Sequence, residues 1–347
     1  MKKQKILIVK LSAIGDVVMA LPMIEAAQKK YGEDVEITWV CGKTASPIIR
    51  TFFENVKVVE IDEKKLLKGS LLEKISEVIK IWLKIAFKKF VLVATAHSDI
   101  RYRLLTLPVI AKTKRHWGIT NGRKHPVSGR YHGIEAVWLI TGDDDSKMTI
   151  LPKSKMWQVQ KRCSPTYGGG AVTQVTEGVL YKSKKKVVLV PGGAKNVLAD
   201  NPCRRWSLDK YVELAQKLLE KNYEVILVGS DSDKWVNEAF NNLKVTNLIG
   251  KTDLIELLGI LRQADVVVTH DTGTLHLAQL ASKKIIALFG PTNPYEKIQK
   301  SDSNIIIWKP ENLACCPCYD GKTYAECKQN KCMDKITVKE VLEVICG

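Results

Sequence analysis

The chain has 347 residues, 45 % hydrophobic and 26 % charged, which is typical of a globular protein large enough for two domains. The apolar segment after the basic residues 1–5 is only a strand long, and no run approaches the roughly 20 residues of a membrane span, so we expect a cytoplasmic protein without signal peptide or transmembrane helix. The net charge of +17 predicts anionic partners; nucleic acid is not expected among them, because zinc-finger, aromatic RNA-binding and basic-zipper motifs are missing.

Strands and helices alternate through the first half of the chain. Apolar runs predict strands at 5–10, 35–41, 56–61, 90–96 and 114–119, and helices at 17–30 and 44–53. The first strand passes into the first helix through a polar turn that contains Ser12, Gly15 and Asp16. This alternation predicts a doubly wound parallel sheet.

A long basic amphipathic helix is predicted at 64–89. Its apolar side chains share one face: Leu71, Leu72, Ile75, Val78, Ile79, Trp82, Leu83 and Ala86. Such a helix either lies on a membrane surface or covers a sheet, and the second arrangement is the more common.

The strand at 90–96 is followed by a basic segment at the carboxyl edge of the predicted sheet. His97, Arg101 and Arg103 lie there, and arginine forks suit phosphate groups. Ordinary loop residues are the alternative.

Residues 151–186 hold prolines, three consecutive glycines and a lysine run, which predicts the connection between two domains. We place the N-terminal domain at 1–165, the connection at 166–186 and the C-terminal domain at 187–347. Strands at 187–190, 224–228, 265–269 and 284–289 alternate with helices at 208–221, 234–242 and 253–263, which predicts a second parallel sheet.

A polar turn at 270–274 joins the buried strand 265–269 to a helix N-terminus. Asp271 can accept hydrogen bonds from sugar hydroxyls, Gly273 allows close backbone approach, and the free N–H groups suit a phosphate. A simple connection capped by Asp271 or Thr272 is the alternative. Two half-sheets facing each other would bring Asp16 and Asp271 together across a cleft.

Four blocks carry a family resemblance, in the family's order along the chain. They are KLSAIGDV at 10–17 with Leu21-Pro22, VPGGA at 190–194 with RRW at 204–206, VGS at 228–230, and DTGTLH at 271–276 with LFGPT at 288–292. The chain resembles glycosyltransferase family 9, the heptosyltransferases of lipopolysaccharide core assembly. The resemblance implies an α/β GT-B fold: two doubly wound Rossmann-like domains facing across a cleft.

The resemblance also implies inverting transfer of heptose from ADP-heptose to an inner-core acceptor, with no cofactor required for catalysis. Asp16 would be the general base, although an N-cap is its alternative role. Arg204, Arg205 and the N–H groups of Thr272, Gly273 and Thr274 would stabilise the diphosphate. The family carries Lys-Arg-Trp or Lys-His-Trp where this chain has Arg-Arg-Trp, so the diphosphate contact differs in detail.

The remaining predicted site residues divide between the two substrates. Asp271 would bind the donor sugar and His276 would orient its turn. Further donor contacts are expected from Pro191, Gly192, Ser230, Asp231 and Lys251, although a surface turn is the alternative role for the last three. Acceptor contacts are expected from Ser12, Gly15, His97, Arg101 and Arg103.

The implied partners are a nucleotide sugar and a lipid-linked, phosphorylated saccharide at the inner-membrane surface, which makes a peripheral membrane location possible. Another nucleotide sugar or a protein acceptor would suit the same fold. A sugar-nucleotide epimerase or a nucleotide-binding module are alternatives from other functional classes.

Five of the nine cysteines crowd near the C-terminus. Cys315, Cys318, Cys327 and Cys332 offer four thiolates for a structural zinc or iron ion. Disulfides and free thiols are the alternatives.

Overall fold

The computed structural model describes residues 3–11, 13–117, 131–143, 184–195, 199–321, 323–327 and 329–347. They form two parallel β-sheets, one in each half of the chain, with helices packed on them. This confirms the predicted architecture of two doubly wound halves. No helix of these described residues is long and apolar enough to cross a membrane.

The first sheet has the strand order β3-β2-β1-β4-β5. Its strands are β1 (Lys5–Val9), β2 (Glu36–Gly42), β3 (Lys57–Ile61), β4 (Lys89–Thr95) and β5 (Ile110–His116). Around it lie α1 (Ile14–Ala20), α2 (Pro22–Tyr31), α3 (Ser46–Phe52), α4 (Glu63–Lys68), α5 (Leu71–Ile85), α6 (His132–Thr141) and a 3₁₀ helix at Ile100–Thr106. Ile6 in β1 pairs with Ile37 and Leu92 on either side, which leaves the central strand buried on both faces.

The second sheet has the order β11-β10-β9-β6-β7-β8. Its strands are β6 (Lys186–Val190), β7 (Glu224–Leu227), β8 (Thr246–Asn247), β9 (Val266–His270), β10 (Ile285–Phe289) and β11 (Asn304–Trp308). The helices are α7 (Leu208–Glu220), α8 (Leu254–Gln263), α9 (Gly273–Ala281), α10 (Lys331–Asp334) and α11 (Val338–Cys346), with 3₁₀ helices at Pro202–Arg204, Asp231–Phe240 and Pro294–Glu296.

Two predicted helices are each divided in the structure. The helix expected at 17–30 is α1 followed by α2, because Pro22 lacks an N–H group and starts a new helix. The helix expected at 64–89 is α4 followed by α5. Gly69 ends α4, and Ser70 starts α5 with a capping box that includes Glu73.

The face by which α5 packs was also predicted wrongly. Ile81 and Ile85 are buried against the sheet, whereas Leu71, Leu72 and Leu83 are among the most exposed hydrophobic side chains of the described chain. Periodicity showed that the helix is amphipathic. It could not show which arc of the helix a neighbouring element covers.

The two halves touch through the first turns of α1 and α9. Gly15 lies against the imidazole of His276 so closely that a Cβ would have no room, and Gly273 faces Ile14. The turns that carry Asp16 and Asp271 therefore meet. The predicted boundary at 165 and most of the connection 166–186 lie outside the described residues, so the domain limits stay a prediction.

Candidate active site

The polar turns of the site follow the strands at which each sheet reverses its winding. In the first sheet the reversal lies between β1 and β4, and in the second between β6 and β9. Loops at the carboxyl ends of such strands form the usual binding crevice of open α/β sheets. Here the loops after β1 and β9 also contact each other across the halves.

Asp16 lies in the first turn of α1, next to a buried cation. The N-cap is Ala13 and makes no side-chain hydrogen bond, so the predicted capping alternative for Asp16 is wrong. Lys10 Nζ lies 3.7 Å from Asp16 Oδ1 and donates a 3.0 Å hydrogen bond to the carbonyl of Ala96. Burial alone would raise the pKa of Asp16, but Lys10 and Lys297 outweigh it and hold the pKa at about 2. Asp16 is therefore ionised at neutral pH, and 40 % of its side chain is exposed to a ligand.

Asp271 is buried at the start of the turn after β9 and is held by two side chains. Arg204 Nη1 lies 3.4 Å from its Oδ2, and the Thr292 hydroxyl donates to the same oxygen at 3.0 Å. Burial opposes ionisation, yet Arg204 and Lys297 lower the pKa of Asp271 below its ordinary value. The side chain that caps α9 is Thr272, whose Oγ1 accepts from the Thr274 N–H at 3.1 Å. Of the three N–H groups predicted for the diphosphate, that of Thr274 is already engaged.

The two arginines of the RRW block differ in position. Arg204 is mostly buried, pairs with Asp271 and lies 5.8 Å from the ring centre of Tyr324. Arg205 donates from Nε to the carbonyl of Gly193 at 2.9 Å and pairs with Asp200. Arg204 thus belongs to the centre of the site, and Arg205 to its edge.

Lys297 is a central residue that the sequence analysis missed. It follows the 3₁₀ helix Pro294–Glu296, and its Nζ lies 3.3 Å from Nδ1 of His132 in the other half. Burial lowers the pKa of Lys297, while the carboxylates of Asp271 and Asp16 oppose that shift. A partly buried cation therefore interacts with both predicted functional carboxylates. A lone lysine in an aperiodic loop gives no pattern from which this could be predicted.

The cysteine-rich loop also reaches the site, through two tyrosines. Tyr319 and Tyr324 stack with ring centres 4.6 Å apart. Tyr319 lies 5.5 Å from Lys297 Nζ, and burial raises the pKa of both phenols, so they are neutral. The loop therefore lines the cation cluster of Lys297 and Arg204.

The cysteines of this loop are free thiols, so the disulfide alternative is not seen. Cys316 donates to the carbonyl of Gly290, and Cys327 accepts from the N–H of Asn330. Burial and neighbouring thiols raise the pKa of Cys332 to about 12. Burial, with the thiols of Cys318 and Cys327, also raises the pKa of Cys203, a neighbour the sequence analysis missed. Within the described ranges no group of three or more His, Cys, Asp or Glu side chains is arranged to hold a metal ion. A zinc or iron site would require rearrangement of the loop, and it stays a prediction.

The other predicted donor contacts lie at the carboxyl edge of the second sheet. Pro191 and Gly192 are buried after β6, and Lys251 Nζ donates to the carbonyl of Asn247 after β8. Asp231 is exposed and pairs with Lys234. It is Asp233, two residues on, that joins two loops by accepting from the N–H groups of Gly193 and Ser230.

The predicted acceptor contacts are divided between the cleft and the surface. His97 accepts at Nε2 from the N–H of Leu11 at 2.9 Å, and burial and Lys10 keep its pKa well below the ordinary value, so it is neutral. Arg101 pairs with Asp99 and is 83 % exposed, and Arg103 is also exposed. Gly15 faces His276, whose pKa burial lowers to about 4. Ser12 lies outside the described residues.

Comparison with known families matches residues 152–328, about half of the chain, to the model of glycosyltransferase family 9 (heptosyltransferase). The chain belongs to this family.

Relatives and solved structures match most or nearly all of the chain. The lipopolysaccharide core heptosyltransferase OpsX of Haemophilus influenzae is 24 % identical over 83 % of this chain and 79 % of its own length. A lipooligosaccharide heptosyltransferase 2 of Campylobacter jejuni is 23 % identical over 96 % of this chain and 95 % of its own. The structure of E. coli heptosyltransferase WaaC with ADP superposes with a TM-score of 0.70 at 17 % identity and covers 99 % of both chains. This likeness confirms the GT-B fold.

The site of this family 9 glycosyltransferase combines a partly exposed, ionised carboxylate with cations that are largely covered. Asp16 is open to a hydroxyl group, whereas Arg204 and Lys297 present positive charge beside Asp271. The N-terminal ends of α1 and α9 add their positive dipole ends to the same place. Such an arrangement can deprotonate one ligand and stabilise negative charge on another.

Proposed function

We propose that the protein transfers heptose from ADP-heptose to a phosphorylated, lipid-linked saccharide of the lipopolysaccharide inner core, with inversion at the anomeric carbon. The observation that carries this proposal is the meeting of the turns that hold Asp16 and Asp271, with Lys297 near enough to interact with both carboxylates. The activities named for the relatives support the choice of sugar and acceptor.

Asp16 is the proposed general base. The acceptor hydroxyl gives its proton to the carboxylate while its oxygen bonds to the anomeric carbon from the face opposite the diphosphate. The bond from that carbon to the diphosphate oxygen breaks, and its electron pair leaves with ADP. Inversion follows from attack on the opposite face.

A carboxylate with a pKa of about 2 is a weak base, and donor binding offers a physical remedy. The low pKa depends on the ammonium groups of Lys10 and Lys297. A bound diphosphate competes for these cations and reduces their stabilisation of the Asp16 carboxylate. The base therefore becomes stronger when the donor is in place.

Arg204, Lys297 and the N–H groups of Thr272 and Gly273 are the proposed stabilisers of the departing diphosphate. Fixed positive groups in a buried site interact with developing charge more strongly than they would in water. Asp271, held by Thr292 and Arg204, is the proposed partner of donor sugar hydroxyls. This scheme requires no metal ion, so activity should be the same with EDTA as without it.

We place the reaction at the cytoplasmic face of the inner membrane, where a lipid-linked acceptor is anchored. The positive net charge of +17 supports an encounter with phosphorylated saccharide and anionic lipid. Arg101 and Arg103 are the proposed contacts for acceptor phosphates.

A donor panel tests the proposal. The protein is incubated with a heptose-deficient inner-core acceptor and one of three donors, ADP-heptose, ADP-glucose or GDP-mannose. The mass of the product is then measured by mass spectrometry. We expect a mass increase of one heptose from ADP-heptose alone. Transfer of another sugar, or heptosylation of a protein acceptor only, would contradict the proposed specificity.

A second measurement distinguishes transfer from epimerisation or simple nucleotide binding. ADP release should equal acceptor glycosylated, mole for mole, and the new linkage should have the anomeric configuration opposite to that of the donor. Isomerised donor without ADP release would indicate an epimerase. Binding without either product would indicate a nucleotide-binding module.

A further inference from the structure

The most unusual surface of the protein lies on the first half. Of the twelve large hydrophobic side chains that are exposed in the described chain, ten lie between Leu71 and Ile110. Six come from α5 and the turn after it: Leu71, Leu72, Ile75, Ile79, Leu83 and Phe87. The other four are Ile100, Leu104, Leu107 and Ile110, and we call all ten the apolar surface.

Helix α5 has two apolar faces, and the sheet covers only one. Ile81 is fully buried, whereas Ile79 and Leu83 are 46 % and 81 % exposed. They lie two residues before and after Ile81, and about 200° of helix rotation places them on the opposite side. The exposed stripe is therefore not the edge of the core.

The two parts of the apolar surface adjoin. The indole N–H of Trp82 donates to the carbonyl of Leu104 at 3.0 Å, and the N–H of Phe87 donates to the carbonyl of Pro108 at 3.0 Å. These bonds join α5 to the segment 100–110. The two parts therefore form one continuous apolar surface. Single exposed apolar residues are common on proteins, but a continuous surface of this kind is not.

The charge of the residues around the apolar surface indicates which kind of partner covers it. Residues 64–115 hold 13 Lys and Arg against three Asp and Glu. Two of the three acids are already paired inside this half, Glu77 with Lys80 and Asp99 with Arg101. A second copy of the chain would bring the same positive patch against itself, which like-charge repulsion disfavours.

We propose that the apolar surface docks the enzyme on an anionic lipid bilayer. Aliphatic side chains enter the interface while the surrounding lysines contact lipid phosphates, as in amphipathic interfacial helices. The inference rests on the proposed function in one respect, because a lipid-linked acceptor gives the docking its purpose. It deepens that function by naming the surface that faces the membrane.

The position of the patch fits this role. The 3₁₀ helix Ile100–Thr106 begins three residues after His97, which lies close enough to Asp16 to affect its pKa. Arg101 and Arg103 are exposed on that helix, next to Ile100 and Leu104 of the apolar surface. Docking would therefore bring the acceptor side of the cleft to the bilayer surface.

Vesicle sedimentation with the whole 347-residue chain tests the proposal. We compare extruded vesicles of phosphatidylethanolamine and phosphatidylglycerol with vesicles of phosphatidylcholine. The apolar variant is Leu72→Gln/Ile79→Gln/Leu83→Gln, and the charge variant is Lys84→Gln/Lys88→Gln/Lys112→Gln. The matched control, on the other half, is Lys221→Gln/Lys331→Gln/Lys339→Gln. All nine substituted side chains are exposed, so we expect each variant to fold, and thermal unfolding checks this.

We expect the wild type and the control to bind anionic vesicles equally. The apolar variant should lose at least about tenfold in partition coefficient. The charge variant should lose the preference for anionic over neutral vesicles. Binding by the apolar variant equal to that of the wild type would overturn the proposal, as would a wild type that binds neither vesicle.

Two further measurements separate the alternatives. A wild-type dimer without lipid that becomes a monomer in the apolar variant, measured by sedimentation velocity, would assign the patch to self-association instead. Transfer from ADP-heptose to a lipid-free acceptor saccharide should be unchanged in the apolar variant, because none of its three substitutions touches the cleft. Absence of transfer in the wild type would refute the proposed function. The vesicle measurement does not depend on transfer, so it would still test the docking surface.

Discussion

Replacing Arg204 with methionine should leave the carboxylate of Asp271 buried beside one cation fewer. Removing one partner of a buried ion pair costs about 3–5 kcal/mol. Asp271 keeps the hydroxyl of Thr292 at 3.0 Å and the nearby Lys297, so we expect the lower end, about 3 kcal/mol. The matched control is Arg205→Met, whose partner Asp200 is 46 % exposed, and there the loss should be about 1 kcal/mol.

Urea unfolding followed by tryptophan fluorescence measures both losses. The wild-type carboxyl of Asp271 has a depressed pKa, so it contributes stability above its unfolded pKa and loses it as pH falls through the folded pKa. Without Arg204 that pKa rises, and protonation relieves the unpaired charge at a higher pH. The deficit of Arg204→Met should therefore shrink between about pH 7 and about pH 4.5.

A double variant completes the test of this ion pair. Arg204→Met/Asp271→Asn should be more stable than Arg204→Met alone by at least about 1 kcal/mol, because the buried negative charge is gone. Equal losses for Arg204→Met and Arg205→Met would refute the reasoning. A deficit independent of pH, or strict additivity in the double variant, would refute it too.

Three other predictions concern the catalytic carboxylate, its cation and the thiols. Asp16→Asn should lower kcat by about 10²–10⁴-fold while calorimetry finds that ADP binding is not weakened, and turnover near the wild-type rate would rule Asp16 out as the base. Lys10→Met should raise the pKa of Asp16 from about 2, so an acid limb of kcat/KM should move to higher pH, and superimposable pH profiles would show that Lys10 does not set this pKa. Thiol titration of unfolded, unreduced protein should find at least the eight free cysteines described, and fewer thiols would indicate disulfides. Elemental analysis of protein purified without a histidine tag should show whether zinc or iron accompanies these thiols.

Hydrophobic pattern alone located the strands that carry the site. The apolar runs before Asp16 and Asp271 have the length and continuity of buried parallel strands, and each ends in a polar turn before a helix. The fold and the two carboxylates therefore follow from local sequence. Family resemblance added the pairing of the two halves.

Other features depend on contacts between distant segments, which no local pattern encodes. Lys297 comes from an aperiodic loop and reaches Asp16 only after the halves have met. Tyr319 and Tyr324 stack in a segment whose recognisable sequence pattern is its cysteines. That pattern predicts a metal site and gives no indication that the tyrosines line the cleft. The exposed stripe of α5 has the same period as the buried one, so only the packing of Ile81 and Ile85 distinguishes the two.

The contact of Gly15 with His276 has a consequence for exchanging halves between related enzymes. A glycine from one half accepts an imidazole from the other, with no space for even a methyl group. A chimera that brings any larger residue to position 15 would therefore need a smaller side chain at position 276. The side chains at positions 15 and 276 must therefore be sterically compatible. When halves of two related enzymes are combined, this pair should be matched before overall sequence similarity is considered.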